Sequence, residues 1–176
     1  MTKHEIKILD TIWSYAVKEK YDFKCAWSGE TTNLNSHHVI SRIIYILRWD
    51  LENGLCLTVK YHKFDGNSIH NNPIIWENRL NELGIKKDKL LKRENEIYLN
   101  DFYCTIEKLK SQCEELHLSN SLKLIDDEYN KHEKSVLRLY KKKDSKRKLI
   151  QKKQLRIREI KKKEIKHTKI NKGVLC

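Results

Sequence analysis

The stretch HHVISRIIYILRWDLENGLCLTVKYHKFDGNSIHNNP, residues 37–73, decides how this chain folds and contains four of its eight histidines. Asn53-Gly54 predicts a turn, and the apolar run after it predicts a short strand that ends near Thr58. A helical segment is expected to begin near Val59, until the turn-forming residues at 65–68 interrupt it. The stretch therefore predicts a small unit of strand and helix in which several histidines lie close together.

A helix is predicted on the N-terminal side of this unit. Thr2 and Glu5 have the form of a capping box, and apolar residues recur at helical spacing from about residue 3 to residue 20. Residues 21–28 are rich in aromatic side chains, which is typical of a short strand.

Helices are also predicted on the C-terminal side. Asn72 followed by Pro73 resembles a helix N-cap with proline at the first helical position, and Gly84 should end that helix. Residues 97–118 read as a further helix, because helix formers dominate and apolar residues recur.

Charge divides the chain unevenly. The whole sequence of 176 residues has a formal net charge of +13, but residues 1–100 carry 15 Lys and Arg against 13 Asp and Glu, whereas residues 131–176 carry 19 against 4. A charge this large favours a polyanionic partner such as nucleic acid. We therefore expect a folded domain over 1–85, a helical connection over 86–130 and a basic helical tail over 131–176.

Several classes of protein are disfavoured by composition. No apolar run approaches the ~20 residues of a membrane span, and the polar first residues lack the apolar core of a signal peptide. An odd number of irregularly spaced cysteines favours reduced thiols over a disulfide framework. These observations predict a cytoplasmic protein, in the host cytoplasm if a phage encodes it, with no membrane partner. The cysteines are Cys25, Cys56, Cys104, Cys113 and Cys176.

The histidine-rich stretch resembles the HNH family of His-Me finger endonucleases, and it is most similar to the small members found in phages and other mobile elements. The resemblance covers about residues 23–85. It implies an α+β fold: a small ββα-metal core, in which a β-hairpin and a helix clasp one divalent metal ion. Helices would flank this core, and the long basic helical extension would follow it.

The resemblance also implies a role for each polar residue. His38 matches the general base, and Asn53 matches the asparagine that orients the base. His37 and His62 match metal ligands. His70 matches a further ligand, which some members place closer to the helix histidine than the eight residues found here.

These residue types suit phosphodiester hydrolysis. A neutral imidazole, whose unperturbed pKa is about 6.5, can take a proton from water at cellular pH. The amide carbonyl of Asn53 is expected to hold the other ring N–H of His38. One metal ion would offset charge on the scissile phosphate, so that the products have 5′-phosphate and 3′-hydroxyl ends. Abundance favours Mg²⁺, although Mn²⁺, Ni²⁺ and Zn²⁺ accept nitrogen ligands more readily.

The chain departs from relatives that hold a structural zinc ion with two CxxC pairs. The first pair here reads Cys25 and Ser28, and the second falls on Thr58 and Tyr61. A single cysteine cannot build a tetrahedral site, so no structural zinc is expected. An apolar cluster is expected to fill that space, formed by Trp27, Phe23 and Tyr61.

Two arginines and the tail are candidate DNA contacts. Arg42 and Arg48 could clamp phosphates, although each could instead form a surface ion pair, for instance with Asp50. In the tail, a weak apolar stripe leaves three alternatives: a solvated helix, an arm that lies along phosphates, or a coiled-coil strand that sets an oligomer. The basic candidates are Lys141, Lys142, Lys143, Lys146, Arg147 and Lys148, and the stripe is Leu149, Ile150, Leu155, Ile157, Ile160 and Ile165.

The sequence thus predicts a metal-dependent DNA endonuclease of the HNH type. The alternative is a degraded nuclease that acts as a DNA-binding accessory module in recombination. A binder of RNA or of membrane surfaces is disfavoured, because the tail lacks aromatic stacking residues and a wide apolar face.

Overall fold

A computed structural model describes residues 1–64, 66, 68–95 and 101–172, without the side chains of 94, 95 and 155–172. The fold is mixed α/β, mostly helical, with one two-stranded sheet and a long C-terminal helix. The chain divides into two compact units, Met1–Glu128 and Tyr129–Cys176. In chain order the elements are α1 (Lys3–Lys20), β1 (Leu34–His38), α2 (Tyr45–Arg48), β2 (Gly54–Thr58), a π-helical turn (Lys60–Phe64), α3 (Pro73–Glu82), α4 (Lys87–Leu91), a 3₁₀ turn (Lys92–Asn95), α5 (Phe102–Glu115) and α6 (Ser119–Lys172).

Helix α1 confirms the N-terminal prediction. The Thr2 hydroxyl accepts a hydrogen bond from the Glu5 backbone N–H, and the Glu5 carboxylate accepts one from the Thr2 backbone N–H. This capping box satisfies two N–H groups that a helix start leaves unpaired. The strand expected over 21–28 is wrong, because the chain turns there with positive φ at Asp22 and Phe23.

Strands β1 and β2 form an antiparallel hairpin in which His38 lies opposite Gly54 and Leu34 lies opposite Thr58. Successive side chains of a strand point to opposite faces. Ser36 and His38 therefore meet α1 on one face, whereas His37 on the other face contacts Trp76 of α3. The hairpin is thus covered on both sides, and adjacent histidines have different surroundings.

Gly54 is required by close packing and not by backbone conformation. A Cβ atom at this position would lie 2.2 Å from Val17 Cγ2 and 3.1 Å from Trp13 Cζ2. Gly54 is not among the residues with positive φ. The turn expected at Asn53-Gly54 is present, but the glycine also lets α1 approach the hairpin closely.

Gly54→Ala is expected to destabilise the protein by about 1–3 kcal/mol, because the added methyl group overpacks the α1–hairpin contact. Urea unfolding measures the change. Gly66→Ala is the matched control, since a Cβ there meets nothing within 4 Å. Adding Val17→Ala to the Gly54 variant should recover part of the loss. Equal stability of the two alanine variants would contradict this account.

Helix α3 begins and ends as predicted. The Asn72 side chain accepts a hydrogen bond from Ile75 N–H at 3.1 Å, Pro73 is the first helical residue, and Gly84 has a φ of 69°. Trp76 and Leu80 of this helix are buried in a core cluster with both strands.

Residues after 85 depart from the predicted domain plan. The compact unit extends to Glu128, so the segment expected to be a connection folds together with the N-terminal part. Helix α5 starts at Phe102, because the Asp101 side chain accepts a hydrogen bond from Cys104 N–H at 3.0 Å and caps the helix there. The predicted start at 97 lies outside the described residues.

The second unit, Tyr129–Cys176, is helical through Lys172. All six basic candidates at 141–148 are exposed, and so are Leu149 and Ile150. The side chains of the remaining stripe residues lie outside the described part. Within that part, no helix is both long and apolar enough to cross a membrane.

Candidate active site

Three histidines far apart in sequence form the main polar cluster of the N-terminal unit. Each of these histidines offers one ring nitrogen, and the three nitrogens lie within 4.8 Å of one another. The histidines are His37, His62 and His70. Three nitrogens that each lie about 2.1 Å from one tetrahedral ion are about 3.4 Å apart, so side-chain rotations that bring these nitrogens up to about 1.4 Å closer would let all three bind one metal ion. The structure therefore brings together the three residues predicted as ligands.

Each histidine of this cluster comes from a different element. His37 lies on β1, with its ring edge-on to Trp76 at 5.3 Å between centroids. His62 lies in the π-helical turn, where its Nδ1 is 3.4 Å from the Asn35 amide nitrogen. His70 lies in the loop before α3, and this loop folds back because Ile69 N–H donates to the Tyr61 carbonyl at 3.1 Å. Gly66 therefore does not separate His70 from the cluster.

The surroundings keep two of these rings neutral. Burial, together with the neighbouring rings of His62 and His70, lowers the pKa of His37 from its ordinary value to about 3. Burial, with His70 and Lys63, lowers the pKa of His62 to about 4. Metal binding requires unprotonated imidazole, so both residues are in the binding form at neutral pH.

These pKa shifts predict that acid destabilises the metal-free protein. Below about pH 6.5 the unfolded chain takes up protons at His37 and His62, while the folded chain does not until about pH 4 and below. Stability therefore falls as pH drops from about 6.5 to 5, by roughly 1–2 kcal/mol for the pair after allowance for solvent screening.

Urea unfolding at both pH values with a chelator tests this expectation. The double variant His37→Gln and His62→Gln removes both titrating rings and should flatten the dependence, whereas His4→Gln at an exposed position should not. An identical pH dependence in wild type and the double variant would show that other groups control it.

His38 is held separately, on the α1 side of the hairpin. Its ring stacks on Trp13 with centroids 3.8 Å apart and planes 11° apart. Its Nε2 lies 2.8 Å from the backbone carbonyl oxygen of Arg48. A carbonyl can only accept, so Nε2 donates, and the neutral ring keeps its lone pair on Nδ1. Burial lowers the pKa of His38, although the hydrogen bond to Arg48 opposes this shift.

The predicted bond between Asn53 and His38 is wrong. Asn53 is fully buried, its Oδ1 accepts from Ile40 N–H at 2.7 Å, and its Nδ2 donates to the carbonyls of Ile40 and Leu47 at 3.0 and 2.9 Å. These three hydrogen bonds all join the Asn53 side chain to backbone groups of the segment between the two strands. Asn53 therefore shapes the segment that presents the Arg48 carbonyl, and it acts on His38 only indirectly.

Asp10 of α1 fastens the same segment. Its carboxylate accepts two hydrogen bonds from the Arg48 guanidinium, at 3.1 and 2.8 Å, and one from Trp49 Nε1 at 2.9 Å. The ion pair that the sequence left open for Arg48 thus exists, but with Asp10 and not with Asp50. Asp50 instead pairs with Arg93 at 2.7 Å.

Sequence reasoning missed Asp10 and Trp13. Trp13 belongs to the buried apolar face of α1, and Asp10 and Ser14 border that face on the side of Lys7 and Lys18. Ser14 also contacts the hairpin, because its backbone carbonyl accepts from the Ser36 hydroxyl at 2.7 Å. Polar groups at such positions are usually paired, and here the partners are Ser36 of β1, Arg48 at the end of α2 and Trp49 directly after it.

A cavity of about 700 Å³ joins both groups of histidines. His37, His38, His62 and His70 all line it, and so does the exposed Arg42. No ion pair engages Arg42 within the residues that the structure describes. Arg42 therefore stays a candidate for the predicted phosphate contact, whereas the Arg48 guanidinium is already bound by Asp10.

The region expected to replace a zinc site is aromatic in part. Trp27 packs edge-on against Tyr61, with ring centroids 5.7 Å apart, and it also contacts Trp76. Phe23 was expected in this cluster but contacts Tyr15 instead. Within the described residues, His37, His62 and His70 form the group able to hold a metal, and the absence of structural zinc stays a prediction.

The chain matches no protein-family model, and neither a curated protein nor a solved structure is significantly similar to it. Function is therefore inferred from the arrangement of the side chains themselves.

Proposed function

We propose that this protein is a metal-dependent DNA endonuclease that hydrolyses phosphodiester bonds with His38 as general base. The observation that carries the proposal is the single cavity lined by two distinct kinds of histidine: a three-histidine cluster able to hold a metal ion, and His38, whose Nε2 is bound to a carbonyl. The hairpin followed by a helical turn supports a ββα-metal core of the HNH type.

The donor set fits a divalent ion that accepts nitrogen. His37, His62 and His70 offer three imidazoles, and no carboxylate belongs to this group among the described residues. Mn²⁺, Ni²⁺ and Zn²⁺ accept such ligands more readily than Mg²⁺, which would need oxygen from water and phosphate. When bound, the ion would offset charge on the scissile phosphate and on the leaving 3′ oxygen.

The chain's own residues would supply the proton transfer. His38 would accept a proton from the attacking water at Nδ1, because Nε2 is occupied by the Arg48 carbonyl. Stacking on Trp13 fixes the plane of the ring, and the Asp10–Arg48 ion pair fixes the carbonyl. Arg42 would bind a phosphate oxygen from the edge of the cavity. A base held in this way loses little orientational freedom when the substrate binds.

The proposal predicts cleavage that depends on both the metal ion and the cluster. Purified protein should cut at least one of a panel of labelled linear, nicked and four-way-junction DNAs with Mn²⁺ or Mg²⁺, and a chelator should stop it. The new 5′ ends should be phosphorylated and ligatable. His37→Ala should lose divalent-metal binding by calorimetry together with activity.

Binding of DNA without cleavage under every metal tested would instead favour a degraded nuclease that acts as a recombination accessory protein. The His4→Ala variant serves as control, because His4 is an exposed histidine outside the cavity.

A further inference from the structure

A second groove adjoins the candidate active site. It has a volume of about 770 Å³ and lies between α1 and the first turns of α6, inside the N-terminal unit. Asp10 and Ser14 line both this groove and the histidine cavity, so the two lie side by side. Neither α1 nor α6 belongs to the histidine-rich hairpin, and among the residues of this surface the proposed chemistry uses only Asp10, through its ion pair with Arg48.

The walls of the groove are fixed in place. The Glu19 carboxylate of α1 accepts hydrogen bonds from the backbone N–H groups of Asn120 and Ser121 at 3.0 and 2.7 Å, and a further one from the Ser121 hydroxyl. Glu19 thereby satisfies N–H groups at the start of α6 that have no partner within the helix. The groove is therefore formed before any ligand binds.

Charge along the groove is predominantly positive. Lys7, Lys18 and Lys123 line it, and no ion pair engages any of the three within the described part of the chain. Asp127 is the opposing carboxylate, whereas the charge of Asp10 is offset by Arg48. Three uncommitted ammonium groups on one preformed channel favour a polyanion as the occupant.

The dimensions fit a nucleic-acid strand. Lys7 and Lys18 are eleven residues apart on α1, which at 1.5 Å per residue is about 16 Å. One strand of duplex DNA advances about 3.4 Å per nucleotide along the axis, so this distance spans roughly four to five nucleotides. Tyr15, between the two lysines, gives the floor an aromatic side chain.

We propose that the groove between α1 and α6 binds the phosphate backbone of the DNA strand that continues from the scissile phosphate. This inference rests on the proposed nuclease function, because the groove adjoins the histidine cavity at Asp10 and Ser14. Lys7, Lys18 and Lys123 contact separate phosphates along this strand, and the helix-to-helix contact at Glu19 holds the lysines at fixed spacing.

The test compares two charge-matched triple variants of the full chain. The groove variant is Lys7→Gln, Lys18→Gln and Lys123→Gln. The control variant is Lys24→Gln, Lys86→Gln and Lys92→Gln, at exposed positions outside the groove. Fluorescence anisotropy with a short labelled duplex, in chelator, measures affinity at several salt concentrations without cleavage. Circular dichroism checks that both variants fold.

The groove variant is expected to bind at least about tenfold more weakly than the control, with the log–log salt slope reduced by up to about 2.7, since each phosphate contact contributes about 0.9. Lysine-to-arginine changes at the same three positions should retain affinity. Equal affinity and slope in the groove and control variants would overturn the proposal.

A separate readout distinguishes this proposal from the proposed function. If wild type fails to cleave any DNA with any metal, the nuclease proposal fails, while loss of binding in the groove variant would still support a nucleic-acid groove. If wild type cleaves but the groove variant binds and cleaves like the control at subsaturating DNA, the groove inference alone fails.

Discussion

His38→Ala is expected to lower the cleavage rate by about 10²–10⁴-fold, the usual contribution of a general base, while DNA and metal binding survive. The reason is geometric. The His38 ring stacks on Trp13 and is bound to the Arg48 carbonyl, whereas the metal-competent nitrogens belong to His37, His62 and His70. Removing His38 therefore removes the proposed proton acceptor and leaves the three histidines of the proposed metal site in place.

Three measurements separate the roles of the two adjacent histidines. Single-turnover cleavage reports the chemical step, calorimetry with Mn²⁺ reports metal binding, and anisotropy reports DNA binding. His37→Ala should lose metal affinity, His38→Ala should keep it, and His4→Ala should match wild type in all three. Equal loss of metal affinity in the His37 and His38 variants would mean that the assigned roles are exchanged or shared.

Neutralising the basic residues at 141–148 is expected to have the next largest effect. This change should lower the affinity for DNA and leave the chemical step unaffected. All six candidates there are exposed, and every candidate catalytic residue precedes Pro73. Replacing the six Lys and Arg residues by Gln should flatten the log–log salt slope by up to about 5 if each contacts a phosphate, and it should weaken binding at low salt by about 100-fold or more. The rate at saturating DNA should change little.

The control variant for the tail keeps the positive charge of the six side chains and changes their chemical structure. Exchanging Lys for Arg and Arg for Lys at the same six positions should preserve affinity. The rival account, in which the tail sets an oligomer, is tested by the molecular mass of a chain shortened after Tyr140. An unchanged salt slope in the Gln variant, together with a change from dimer to monomer in the shortened chain, would refute phosphate binding by the tail. That result would favour the account in which the tail forms an oligomer.

The sequence alone determined those features that depend on neighbours within a few residues. The capping box of α1, the Asn72 and Pro73 start of α3 and its glycine end were all predictable, because caps and helical periodicity are local. The uneven distribution of charge along the chain was also known, because it is counted directly from the sequence. The histidine set was predicted through the resemblance of residues 37–73 to the HNH family, which grouped His37, His62 and His70, and these residues are near one another in the fold.

Only the tertiary structure decided which groups surround His38. Trp13 and Asp10 reach this part of the chain across 25 or more residues of sequence, and no local pattern encodes that approach. The partner of Asn53 was mispredicted for a related reason: a buried amide binds whichever backbone groups the turn leaves unpaired, and these were Ile40 and Leu47. The amide side chain of Asn53 implied that it would form hydrogen bonds, and tertiary packing decided which groups became its partners.

Gly54 and His70 show the same division. A glycine after asparagine predicts a turn, but its need to lack a Cβ arises from Val17 of a helix packed against it. His70 approaches His62 because the Ile69 N–H bonds to the Tyr61 carbonyl and the Ile69 side chain is buried, which folds the loop back. Local pattern therefore determined the elements, the family resemblance supplied the candidate ligands, and burial between distant elements determined which side chains meet.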